Sequence, residues 1–173
     1  MTAERFGYQR SCVAATTGKV LNIGANEDPA GLKAIDPDRV DNADIESHDS
    51  YMNRPNLVDI VFDATQKWPL EDDSYELVVL GDILEHLYPD EAAVVLTEAN
   101  RCAPKLCITV PKDDRINPET IELRNGYRTH CYVWTDDKIR RILEETGWRV
   151  TDWQTVDYLF VAEGYFIQAE RVI

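Results

Sequence analysis

The chain has 173 residues, enough for one domain with a sizeable core, and its 44% apolar and 29% charged residues are those of a globular protein. A net charge of −14, from 32 acidic and 18 basic residues, repels phosphate backbones over most of the surface and argues against nucleic acid as a partner. No apolar run approaches the ~20 residues that span a bilayer, and the first ten residues lack the basic-then-apolar order of a signal peptide. A cytoplasmic, acidic protein with no membrane partner is the expectation.

Residues 1–18 read as a short, partly helical lead-in to a single domain spanning 1–173. Residues 19–23 form the first strand, which breaks at Gly24 into the small polar turn Gly24-Ala25-Asn26. That is how a buried parallel strand hands over to a loop lying close to a ligand. Residues 29–34 allow only a short helix before Pro37, and 39–45 read as a second strand carrying Asp44. After a polar stretch at 48–56, residues 57–62 form a third strand ended by Asp63. Residues 76–80 form a fourth, ended by Gly81 and Asp82.

Over 90–101 the apolar residues Ala92, Val95, Leu96 and Ala99 recur at helical spacing on one face. Residues 106–110 are a fifth strand, stopped by Pro111. The polar stretch 112–132 is long for a connector, and such loops are often functional. Thr135 can cap the next helix, with Asp136 and Asp137 at its positive end and Gly147 as its left-handed stop. Ile139, Ile142 and Leu143 form the buried stripe of that helix. Residues 149–156 and 163–172 read as a terminal antiparallel hairpin. The alternation of strands and helices predicts an α/β, Rossmann-like open sheet, mostly parallel, with helices on both faces.

The four cysteines show no C-x-x-C spacing, and with three histidines they suggest neither a zinc site nor a disulfide framework, so no metal is expected. Cys107 lies within an apolar strand and reads as a packed small hydrophobe. Trp68, Tyr88, Trp134 and Trp148 read as core or rim packing. Arg124, Arg128, Arg140 and Arg141 could form a local basic patch. Carboxylates at the ends of three strands, Asp44, Asp63 and Asp82, suit a nucleoside-type cofactor in the crevice at the carboxyl edge of an open sheet.

The stretch from Asp63 through Trp68-Pro69-Leu70, the acidic turn 71–73 and the fourth strand to Glu85-His86-Leu87 has a familiar order. Glu98-Ala-Asn-Arg101, Val110-Pro111, Gly147-Trp148 and Glu163-Gly-Tyr-Phe166 follow at matching intervals. Together they resemble the class I S-adenosylmethionine-dependent methyltransferases, in the small single-domain branch called methyltransferase type 11. The resemblance runs from residue 19 to about residue 171. It implies seven strands with the last antiparallel. It also implies S-adenosyl-L-methionine as cofactor, S-adenosyl-L-homocysteine as product, and binding across the first four strands. Gly24, Ala25 and Asn26 would pass under the methionine part, Asp44 would accept the ribose hydroxyls, and Asp63 with the Ala64 backbone would meet the adenine. Gly81 and Asp82 would lie beside the sulfonium and amino-acid end. A carboxylate can accept from both ribose hydroxyls, and the adenine amino group is a donor needing an acceptor.

Two departures bear on these roles. The glycine-rich turn is reduced to Gly24 alone, and Asn22 stands where an acid is often found. Asp36 competes with Asp44 as ribose ligand; Asp44 is preferred because 39–45 reads better as the second strand. If the acceptor must lose a proton, His130 and His86 are the candidate catalytic bases. The fourth strand ends Gly81-Asp82-Ile83-Leu84, without the Asn/Asp-Pro-Pro-aromatic run of base-amine methylation, and no cysteine follows a proline there. A small-molecule or glycan acceptor is therefore expected. The alternative is a non-catalytic or regulatory cofactor-binding module, motivated by the reduced glycine turn. A nicotinamide dehydrogenase is disfavoured because G-x-G-x-x-G is absent.

Overall fold

The computed structural model describes residues 3–25, 31–45, 58–112, 123–124, 127–128, 130–158 and 161–172. In chain order the strands are β1 (Val20–Ile23), β2 (Val40–Asp44), β3 (Ile60–Val61), β4 (Leu77–Gly81), β5 (Lys105–Lys112), β6 (Leu123–Arg124), β7 (Tyr127–Arg128), β8 (Trp148–Tyr158) and β9 (Val161–Arg171). β6 and β7 pair with each other in a separate two-stranded sheet; the other seven form one sheet in the order β3-β2-β1-β4-β5-β9-β8. β1 to β5 are mutually parallel, and β9 lies antiparallel between β5 and β8. The last strand is thus the one that runs against the rest, as expected.

The central strands are apolar on both faces because both are covered. Side chains alternate along each strand. Val20, Leu77, Val79, Cys107 and Phe166 point to one face, where they pack with Tyr8, Cys12 and Val13 of helix α1 (Ala3–Ala14) and Leu32 of α2 (Leu32–Ile35). Leu21, Val78, Leu80, Leu106, Ile108 and Ile167 point to the other. There they meet Val95, Leu96 and Ala99 of α3 (Pro89–Cys102) and Ile139, Ile142 and Leu143 of α4 (Asp136–Glu145). The result is a three-layer α/β/α domain. Trp68, Trp134 and Trp148 are core residues, whereas Tyr88 is exposed at the start of α3.

The Glu98–Arg101 motif is a structural clamp. Arg101 donates to the carbonyl oxygens of Leu70 and Trp68 and to the carboxylates of Glu98 and Asp72. Burial pushes the Glu98 carboxyl up, but hydrogen bonds from Arg101 and the Trp68 N–H outweigh it and hold it below the usual range. Asn100 donates to the carbonyl of Gly147, whose φ of 80° ends α4 in the left-handed region. One turn of α3 therefore fixes both the 68–72 segment and the start of β8.

Three local expectations differ from the structure, whereas the N-terminal lead-in is partly helical as read, with one 12-residue helix. Its buried residues Arg5, Tyr8, Gln9, Cys12 and Val13 follow the 3.6-residue period on one side. β3 keeps only two residues of the predicted strand because the Asp59 carboxylate takes the Asn42 N–H that a longer strand would pair. β5 runs on through Pro111, which faces Gly164 of β9. β4 pairs β5 only as far as Thr109, so one edge is open beyond it, where proline is tolerated. Thr135 occupies the N-cap of α4, yet its side chain makes no capping hydrogen bond. Among the described residues no helix is long and apolar enough to cross a membrane.

Candidate functional site

The chain reverses its direction of growth between β1 and β4, the neighbouring central strands, and this opens a crevice at their carboxyl ends. Gly24 closes β1 with φ of 67°, and its N–H and that of Ala25 donate to the Ala43 carbonyl of β2 at 2.9 and 3.2 Å. The left-handed φ favours glycine at Gly24, and a Cβ there would require the end of the Ile83 side chain to shift. Asp44 ends β2 at the same edge and is 5% exposed; its Oδ1 accepts the Ile45 N–H at 2.7 Å. On the next strand, the Phe62 N–H donates to the Asp44 carbonyl. Asp63 then turns the chain, with Oδ1 accepting the N–H and hydroxyl of Thr65 at 2.9 and 2.7 Å. The carbonyl of Ala64 receives the Trp68 indole N–H at 2.9 Å.

Gly81 ends β4, and Asp82 follows with φ of 56°, a left-handed conformation uncommon for a residue with a side chain. Its N–H donates to the Thr109 carbonyl at 2.8 Å. Helix α1 forms the wall over this point. The buried guanidinium of Arg5 is ion-paired with the Asp82 carboxylate. Gln9, one turn on, donates to the Thr109 hydroxyl at 2.8 Å, and that hydroxyl lies 3.4 Å from Asp82 Oδ1. A Cβ on Gly81 would strike the Gln9 amide, so α1 sits directly against the strand end.

Past Asp82 the chain makes a 3₁₀ turn, Leu84–His86. The segment leading into α4 docks on it. The N–H groups of Cys131 and Tyr132 donate to the Glu85 carbonyl at 2.8 and 3.4 Å, and the Trp134 indole N–H donates to the Leu84 carbonyl at 2.6 Å. Glu85 is 1% exposed, and His130 Nε2 lies 3.9 Å from its Oε1. The His86 and His130 rings meet edge to face, centroids 5.0 Å apart.

The structure thus brings Gly24, Ala25, Asp44, Asp63, Ala64, Gly81 and Asp82 to one sheet edge, with His86 on the turn just beyond it and His130 packed against His86. Asn26 and most of the 112–132 stretch lie outside the described residues. Asp36 lies at the opposite end of β2, before the strand begins, and is ion-paired with Arg39 at 2.5 Å. Of the predicted basic patch, Arg140 is paired with Asp136 and lies 4.1 Å over the Trp153 ring. Sequence reasoning missed Arg5, Gln9 and Thr109. The signal for the first two was present in the stripe at 5, 8, 9, 12 and 13, polar at one end and apolar at the other.

No protein-family model matches the sequence, and no curated protein matches it either. Solved structures do match the fold. The chain is similar to a SAM-dependent methyltransferase from Methanosarcina mazei at 12% identity and a TM-score of 0.69, over 100% of this chain and 99% of that one. It is similar to the 1,6-didemethyltoxoflavin-N1-methyltransferase of Burkholderia thailandensis, bound to that substrate and S-adenosylhomocysteine, at 14% identity and 0.70, over 99% and 78%. The magnesium protoporphyrin IX methyltransferase of Synechocystis PCC 6803, with bound SAH, matches at 17% and 0.65, over 97% and 83%. The chain has the class I S-adenosylmethionine-dependent methyltransferase fold.

Proposed function

We propose that the protein transfers the methyl group of S-adenosyl-L-methionine to a small-molecule or glycan acceptor. The observation that carries this reading is the meeting of Gly24, Asp44 and Asp82 at the carboxyl ends of three adjacent strands, β2, β1 and β4. The neighbours crystallised with S-adenosylhomocysteine share this fold, which supports the same cofactor here.

The residues fit that cofactor. Gly24 keeps the left-handed turn in spite of the reduced glycine motif, so backbone approach is preserved where it is needed. Asp44 is a buried acceptor at a strand end, suited to a pair of ribose hydroxyls, and its position favours it over Asp36. Asp63 and Ala64 lie on a turn fixed by Thr65 and Trp68 and suit the adenine edge. Gly24, Ala25 and Asn26 suit the methionine part, and Gly81 and Asp82 its charged end. Arg5 balances Asp82 and adds a cation at that end for a carboxylate.

The bound cofactor supplies an electrophilic methyl group on a sulfonium. The protein contributes position and dryness: α1 covers the strand ends, and the acceptor is held in line at the open side, toward His86 and His130. Incubation with methyl-labelled cofactor and a panel of small molecules and glycans tests the reading. Labelled product, with turnover lowered in His130→Ala and cofactor affinity nearly unchanged, supports it. Equal loss of both quantities removes His130 from the acceptor side. Cofactor binding with no transfer to any acceptor, and no S-adenosylhomocysteine formed, returns the protein to the binding-module alternative.

A further inference from the structure

Glu85, His86 and His130 offer one ligand atom each, and these atoms lie within 4.8 Å of one another. We propose that the three residues bind a divalent first-row transition-metal ion. Neither the cysteines nor any short His-x-His spacing announces this site, because His130 is supplied from a segment far along the chain.

The cluster is built on fixed backbone. Glu85 and His86 are held in the 3₁₀ turn, and the turn is bonded to the 131–134 segment through Glu85 and Leu84 carbonyls. Trp134 anchors that segment in the core at 1% exposure. The ligand types are two imidazoles and one carboxylate, the set that leaves coordination positions open to water or substrate. Glu85 is almost wholly buried, and its Oε1 lies 3.9 Å from His130 Nε2. The His86 and His130 rings meet edge to face, at 78° to each other. Around an ion with bonds near 2.1 Å, tetrahedral ligand atoms are about 3.4 Å apart, so rotation of the two imidazoles closes the group by roughly an ångström. Imidazole nitrogen favours Zn²⁺, Fe²⁺ or Co²⁺ over the oxygen-seeking Mg²⁺ and Ca²⁺.

The role of the ion rests on the methyl-transfer reading. The cluster begins three residues past Asp82, beside the strand end where the methyl group would sit. A hydroxyl of the acceptor takes an open coordination position and loses its proton to solvent more readily there. The acceptor is then an alcohol-type oxygen, and the two histidines act as metal ligands in place of proton acceptors.

The test uses chelator-treated full-length protein titrated with Co²⁺, read by visible absorption, and with Zn²⁺, read by calorimetry. One ion per chain is expected, with affinity lowered about tenfold or more in His130→Ala and in Glu85→Gln. His130 is a third exposed, so His130→Ala keeps the test valid if the buried Glu85 variant fails to fold. No Co²⁺ band at millimolar metal, or binding that is equal in wild type and His130→Ala, overturns the site. S-adenosylhomocysteine binding by the metal-free protein is measured alongside. Cofactor binding without metal binding defeats this inference alone, whereas metal binding without cofactor binding leaves the ion site standing and defeats the methyl-transfer reading.

Discussion

Arg5 in the first helix is ion-paired with Asp82 at the end of the fourth strand, so the N-terminal helix and the centre of the sheet are joined at the crevice itself. The Arg5 side chain is 6% exposed and that of Asp82 24%. Removing one member leaves the other charge largely out of water, which costs about 3–5 kcal/mol in fully buried pairs. Arg5→Ala is therefore expected to destabilise the fold by about 2–4 kcal/mol in urea unfolding, the lower end reflecting the partial exposure of Asp82. In a double-mutant cycle with Asp82→Ala, the two losses should be clearly less than additive. Strict additivity would mean that the pair does not couple helix to sheet.

Gly24 should not tolerate a side chain. Its left-handed φ costs an alanine about 1–2 kcal/mol, and the added Cβ meets Ile83 besides. Gly24→Ala is expected to lose at least that backbone figure, with any excess set by how readily the Ile83 side chain shifts. Adding Ile83→Ala should relieve the collision but leave the backbone strain, so the double variant stays less stable than Ile83→Ala alone. Equal stability of those two proteins would contradict the conformational argument.

Glu76 ties the loop before β1 to β5. Hydrogen bonding from Lys105, and then from the Gly18 N–H, holds its carboxyl at about 2, against a usual value of 4.5. The folded pKa is depressed, so the stabilisation is complete above about 4.5 and is lost as the pH falls towards 2. Urea unfolding should show Glu76→Gln less stable than wild type at pH 7. The gap should narrow between pH 4.5 and 2. A gap independent of pH would show that packing, and not the carboxylate charge, carries the effect.

Much of this architecture is written in local pattern. Leu77 to Leu80 is apolar on both faces and Val20 to Ile23 is so but for the buried Asn22, which marks central parallel strands, and the α4 stripe of Ile139, Ile142 and Leu143 marks a helix face. The strand-end residues Gly24, Asp44 and Asp82 could be placed for the same reason: a strand has a definite last residue. What escaped was long-range. Arg5 and Gln9 look like surface residues until α1 is laid over the sheet edge, where Thr109 and Asp82 receive them. The meeting of Glu85 with His130 depends on Trp134 docking beneath the 3₁₀ turn, which no local spacing shows. The Glu98–Arg101 motif was visible, but its work as a clamp on 68–72 appears only once its partners are in place.

On the proposed function, an adenosyl cofactor lies across the carboxyl ends of β1, β2 and β4. Calorimetric titration of S-adenosyl-L-homocysteine tests it most directly, using wild type, Asp44→Ala and Asp36→Ala. Hydrogen bonds to a charged acceptor contribute about 1.5–3 kcal/mol each, so Asp44→Ala should bind roughly tenfold or more weakly. Asp36, at the other end of β2 and paired with Arg39, should leave affinity unchanged when replaced. Wild type should show one saturable site, weakened in Asp44→Ala and intact in Asp36→Ala. No binding to wild type, or a loss confined to Asp36→Ala, would contradict it.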